Sequence, residues 1–200
     1  MTANSPKPFL FLDVDGVIAP FGDRPEWPKQ FVAVASIPIV PENQERLAAL
    51  DAAFEIIWCT DWMEHANELG AIYGLPPRPF LEIPEGKEGD TAHYEVEGDD
   101  GLPLWHHDPF TRPEDLKWDR SYGSPSIVRK LPVVAEFLTS EPNRGRAFAW
   151  VDDHINFESR RFAHEWSSPS LLLRTDREMG ISDADLHSLI DFTTTRDGSA

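Results

Sequence analysis

The sequence predicts an α/β fold, a parallel sheet layered between helices on both faces, from three observations. Short, continuously apolar runs (Phe9 to Leu12, Ile56 to Cys59, Phe148 to Val151) have the composition of strands covered on both sides. Segments with apolar residues at helical spacing alternate with them, as in a chain of successive strand and helix units. Each run also stops abruptly at polar residues: Asp13 and Asp15, Thr60 and Asp61, Asp152 and Asp153. Open parallel sheets bind ligands beyond the carboxyl ends of their strands, so these endings define one candidate site.

The first strand runs into Asp13-Val14-Asp15-Gly16-Val17. Residues 16–40, rich in Pro, Gly and aromatics and closing in the apolar stretch Phe31 to Val40, predict a flap-like loop or hairpin beside the site. Pro41-Glu42 opens a helix in which Leu47, Leu50 and Phe54 recur, with proline and an acid where a first turn favours them. A second buried strand, Phe54 to Cys59, precedes a helix over 62–73 that carries Met63, Ala66, Leu69 and Tyr73 on one face. Gly74 and Pro76-Pro77 stop it. Phe80 to Ile83 is a short candidate strand. Residues 84–125 then form an acidic insertion near the site, dense in Gly, Pro, Asp and Glu, with Thr91 to Val96 its sole plausible strand. A stretch this long without periodicity serves function more often than architecture. Alternation resumes with a helix from Lys130 to Leu138, with Pro132 in its first turn, and a strand from Arg146 to Val151. A helix from Phe157 to Trp166, a strand from Ser170 to Leu173 and a last helix opened by the capping box Ser182-x-x-Asp185 complete the chain. There is no internal repeat, and residues 1–200 suit a single domain.

A hydrophobic fraction of 40% with 11% aromatics supports a real core and argues against global disorder. The single cysteine, Cys59, rules out an internal disulfide and suits a reducing compartment. Met1 to Pro8 lacks the apolar core of a signal peptide and no run approaches membrane-spanning length, so a cytoplasmic protein without a membrane partner is expected. With 35 acidic against 18 basic residues the net charge is -17, which opposes docking on a phosphate backbone and makes nucleic acid a disfavoured partner. Any anion site must therefore rely on local cations and backbone amides. The sequence is silent on oligomeric state.

In an extended chain Asp13 and Asp15 point to the same side while Val14 points away, and Gly16 lets the backbone turn just beyond them. Carboxylates this close repel unless a cation or a proton lies between them. The pair implies either a bound divalent metal or a division into one ionised and one protonated acid. Asp-x-Asp-Gly also occurs in calcium loops, but those need a Glu at the twelfth position, which counted from Asp13 is Arg24.

On these residues the chain resembles the haloacid dehalogenase-like (HAD) hydrolase superfamily over most of its length. Its four ordered motifs look like Asp13-Val14-Asp15-Gly16-Val17, Thr60, Lys130 and Asp152-Asp153. The resemblance implies a Rossmann-like three-layer parallel sheet with a small insertion and no large cap domain. It also implies a phosphatase in which Asp13 becomes an aspartyl phosphate. Mg2+ would be held by Asp13, the main-chain carbonyl of Asp15 and Asp152, with Asp153 holding a ligating water or Lys130. Asp15 would be the general acid and base, and because dehalogenase members lack this second acid, a phosphoryl substrate is favoured over a halogenated one. Thr60, Lys130, Gly16 and Asp61 fall at the expected phosphate-binding positions, although Asp61 is an unusual acid there and has a helix cap as its alternative role. Lys117 competes with Lys130, which is preferred because it directly precedes an apolar helix one element upstream of Asp152.

Thr60-x-Trp62 with His65-Ala66-Asn67, Lys130-Leu131-Pro132-Val133-Val134 and Trp150-Val151-Asp152-Asp153 more closely resemble the small HAD-like domains of bacterial RNA-repair proteins. That resemblance implies a nucleotide or nucleic-acid end as substrate. The leading expectation is a magnesium-dependent phosphomonoesterase acting on a small phosphorylated metabolite or nucleotide. A polynucleotide end phosphatase and a non-catalytic metal- or partner-binding module are the alternatives. His106-His107-Asp108 reads as an exposed loop rather than a metal cluster, because adjacent residues rarely chelate one ion together. Arg24, Arg78 and Arg112 are candidates for contact with a remote part of the substrate.

Overall fold

β1 (Phe9–Leu12) is buried at every position because both its faces and both its edges are covered. It runs through the middle of a wholly parallel four-stranded sheet of order β4-β1-β5-β6, between β4 (Glu55–Trp58) and β5 (Phe148–Asp152), with β6 (Ser170–Arg174) outermost. The structure is a computed structural model and describes residues 6–33, 35–84 and 125–197.

Alternation along the strands divides the core into two layers. Leu10, Leu12, Ile56, Trp58, Ala149 and Val151 pack with Leu47 and Leu50 of α1 (Asn43–Ala53), Leu69 of α2 (Ala66–Ile72) and Leu189 of α5 (Asp183–Asp197). Phe9, Phe11, Ile57, Cys59, Phe148 and Trp150 pack on the opposite face with Val134 and Leu138 of α3 (Pro125–Thr139) and Ala163 of α4 (Phe157–Glu165). The α/β, three-layer arrangement expected from the apolar runs is thus present. Among the described residues no helix is long and apolar enough to cross a membrane.

The expected hairpin within residues 16–40 is formed by β2 (Lys29–Val32) and β3 (Ala35–Pro38), antiparallel to one another. Val32 and Ile37 anchor it in the first core layer, while Phe31 is 71% exposed. The capping box of α5 also forms: Ser182 N donates to Asp185 Oδ2 (2.8 Å), and Asp185 N donates to Ser182 Oγ (3.2 Å).

Three expectations need correction. The helix expected over 62–73 begins as a 3-10 turn, Met63–His65, and becomes α-helical only from Ala66, because Met63 takes a left-handed φ of 47° that a regular helix excludes. The candidate strand Phe80 to Ile83 reduces to a single bridge between Phe80 and Trp58. Pro79 and Pro84 flank it, and residues without an N–H do not extend a ladder. α3 starts at Pro125 rather than Lys130, so Pro132 sits in its interior and not in its first turn. Pro132 lies on the exposed side of α3, where water can serve the carbonyl that loses its helical donor. The expected strand Thr91 to Val96, the acidic insertion around it, His106-His107-Asp108 and Arg112 lie outside the described residues.

Candidate active site

Leu12 is paired with Val151 in the β1–β5 register, so Asp13 and Asp152, each one residue further on, stand side by side on adjacent strands. Adjacent strands are about 4.8 Å apart. Strand parity sends both side chains toward α3, on the side of Phe11 and Trp150. Among the described side chains of α3 the buried ones are Lys130, Val134 and Leu138, at four-residue spacing, so a lysine occupies a place on the stripe where an apolar residue would ordinarily sit. Its ammonium meets both acids, with Nζ 2.8 Å from Asp13 Oδ2 and 2.9 Å from Asp152 Oδ2. The three side chains are almost wholly buried, at 2%, 4% and 1% exposure for Lys130, Asp13 and Asp152. The remaining carboxylate oxygens are held by main-chain amides: Val14 N donates to Asp13 Oδ1 (2.8 Å) and His154 N to Asp152 Oδ1 (2.9 Å).

Burial raises the pKa of Asp13 to about 7, with the charge of Asp152 adding to the rise and Lys130 opposing it. Burial likewise raises Asp152 against the pull of Lys130. Asp15 is raised by burial and then by Asp13, and a hydrogen bond from Trp62 opposes the rise. Burial works against the Lys130 ammonium too, but Asp13 and Asp152 outweigh it and hold the lysine above its ordinary value. One buried ammonium thus serves a site that also contains Asp15 and Asp153. The ligand atoms of Asp152, Asp153 and His154 lie within 4.8 Å of one another, with His154 Nδ1 2.7 Å from Asp153 Oδ1. Hard oxygen donors gathered around one ammonium, with Asp13, Asp15 and Asp152 held above their ordinary pKa chiefly by burial, make a donor set that a divalent cation would relieve.

Gly16 is required sterically. It adopts φ +68°, and a Cβ there would stand 2.7 Å from Asp153 Oδ2. Its N–H is taken by Ala19 O (2.9 Å) and its carbonyl accepts from Thr175 Oγ1 (2.8 Å), so it shapes the turn and offers no free amide to a phosphate. Thr60, buried at the end of β4, accepts a bond from Trp62 N at 3.4 Å. Asp61 pairs with Arg129 of α3 (3.1 Å) and caps no helix, because the turn after it has no side-chain cap. Its carboxylate therefore ties the end of β4 to α3. Lys117 lies outside the described residues, and Lys130 is the lysine found between the acids. Arg78 is structural, pairing with Asp51 while its main chain bonds Asn67, and Arg24 stacks over Trp27 at 5.0 Å.

Four contacts had no counterpart in the sequence reading. Trp62 Nε1 donates to Asp15 Oδ2 at 3.0 Å. His154 backs Asp153, and Arg177 Nε approaches the same carboxylate at 3.8 Å. Asn43, at the start of α1, donates to Ile18 O at 3.0 Å and secures the turn that follows Gly16. Of these only the first had a signal: an indole N–H is a donor without alternatives, so a half-buried tryptophan next to acids seeks a carboxylate. No protein-family model, curated protein or solved structure matches the chain.

Proposed function

We propose that the chain is a HAD-like, magnesium-dependent phosphomonoesterase acting on a small phosphorylated metabolite or nucleotide. The observation that supports it best is the buried Lys130 ammonium between Asp13 and Asp152, with Asp15 two residues along the same strand end. Asp13, the main-chain carbonyl of Asp15 and Asp152 would hold the ion, with Asp153 and His154 behind them. When bound, Mg2+ would offset the charge gathered on the phosphoryl oxygens. Asp13 attacks phosphorus as the carboxylate, the form that Lys130 favours, and the ester bond breaks with its electron pair on the alcohol oxygen. Asp15 gives that oxygen a proton, then takes one from the water that hydrolyses the aspartyl phosphate, returning Asp13 to its starting form. Lys130 and the Thr60 hydroxyl steady the phosphoryl oxygens as charge moves between them.

The test is phosphate release from a panel of phosphomonoesters that includes nucleotides and oligonucleotides phosphorylated at either end. It is run with magnesium, with chelator, and with Asp13→Asn. Turnover that both controls abolish is the expected result, and the best substrate separates the metabolite reading from the polynucleotide one. A folded protein that binds magnesium yet releases no phosphate from any member sinks the phosphatase and leaves the binding module.

A further inference from the structure

Asp15 Oδ2 is 3.0 Å from the indole nitrogen of Trp62, and no other side-chain hydrogen bond to Asp15 is found among the described residues. Trp62 is firmly placed. Its ring packs against the first core layer, and its amide is bonded to Thr60 Oγ1, so β4 and the turn after it fix the donor's position relative to β1. The indole N–H can only donate. It therefore claims Oδ2 as an acceptor, the role that suits the carbonyl-type oxygen of a neutral acid, and the proton of that acid is left on Oδ1. A carboxyl whose proton is confined to one oxygen is prepared to give it in one direction.

From this we infer that Trp62 is a positioning residue that fixes which oxygen of Asp15 carries the proton, and that the substrate is an ester of a weakly acidic alcohol. The inference rests on the phosphatase reading above. An alkoxide is a poor leaving group and departs only as it is protonated, so a directed acid is useful for alkyl esters and nearly idle for esters of acidic phenols. In the step concerned, Asp13 forms a bond to phosphorus, the P–O bond to the alcohol breaks, and its electron pair takes the proton from Asp15 Oδ1.

The experiment compares kcat/KM for an alkyl phosphomonoester (glycerol 2-phosphate) and an activated aryl one (4-nitrophenyl phosphate) in the wild type and in Trp62→Phe. This ratio reports only the steps through loss of the alcohol and is unaffected by later hydrolysis of the aspartyl phosphate. Trp62→Phe should lower the alkyl value by about 100-fold and the aryl value by less than about fivefold, within the usual range for general acid catalysis. Equal losses on both substrates would mean that Trp62 only packs, and unchanged values would mean that it does nothing for the acid. Either overturns the inference and leaves the phosphatase intact, whereas a wild type inactive on every ester removes both. A second readout needs no turnover: the Trp62 indole N–H resonance, assigned by its loss in Trp62→Phe, should move and lose exchange protection in Asp15→Ala. An unmoved resonance would show that the bond does not form.

Discussion

Replacing Lys130 by methionine keeps the length and most of the apolar surface of the side chain and removes only its charge. In the folded protein that charge lies 2.8 Å from Asp13 and 2.9 Å from Asp152, with all three groups almost fully buried. Removing one partner from a buried ion pair typically costs about 3–5 kcal/mol, because the group left behind is still desolvated. Domains of this kind have only about 5–15 kcal/mol in total. The loss should depend on pH, and its sign follows from linkage. Asp13 has a folded pKa of about 7 against 3.8 when unperturbed, and without the lowering effect of Lys130 it would lie higher still. The folded variant therefore binds more protons than the unfolded chain, and its stability falls as pH rises above the unfolded value. In metal-free urea titrations followed by tryptophan fluorescence, Lys130→Met should be less stable than wild type by roughly 3–5 kcal/mol at pH 8. The deficit should be clearly smaller at pH 5, where a proton replaces the missing cation. A deficit under about 1 kcal/mol at pH 8, the level of an exposed pair, would show that the ammonium is not buried between the acids as described. A deficit independent of pH would show that the carboxyls do not respond to it.

Gly16→Ala combines a left-handed φ with a Cβ 2.7 Å from Asp153 Oδ2. It should cost about 1–3 kcal/mol from the backbone alone and lower magnesium affinity by displacing Asp153, and a variant with wild-type stability and affinity would refute that account of the turn. Magnesium binding should weaken as pH falls below 7, because the carboxylates that would hold the ion, Asp13 and Asp152, have raised pKa values and a proton must leave before an ion can enter. Titration calorimetry at pH 8 and pH 6 should show a weakening of up to about tenfold per pH unit for each proton released, and equal affinity would contradict it. Asp13→Asn, beyond losing phosphate release, should be at least as stable as wild type in chelator at pH 8, since the neutral amide replaces a carboxylate whose ionisation folding disfavours. A less stable variant would mean that the pair with Lys130 outweighs burial.

Much of the sheet was legible because its signals are local. The residues of β1, β4 and β5 announce strands covered on both faces, and the acids stand at their ends or within three positions of them. Lys130 was singled out for its place before an apolar helix, but it lies inside α3, where Val134 and Leu138 continue its stripe. The start of α3 was missed although Pro125 is a residue favoured in a first turn, because Pro132 drew the boundary later. Which side chains pair across elements was not legible, although the indole of Trp62 signalled that some carboxylate would accept from it. Whether Asp61 meets Arg129, or Trp62 meets Asp15, depends on how β4 and its turn dock against α3 and β1. Spacing along one segment does not encode that geometry.

The position of β1 between β4 and β5 has a consequence for a chain still being made. β4 follows β1 after some forty residues, but β5 arrives only at Phe148, and the bond from Thr175 Oγ1 to Gly16 O joins residues 159 apart. Until the ribosome has delivered that second half, Phe9 to Leu12 presents an unpaired apolar edge, the kind of strand that recruits other chains. The strand that leads into Asp13 and is best protected in the finished molecule is thus its most vulnerable segment during synthesis. Truncations that end before residue 148 should aggregate rather than fold into smaller active units.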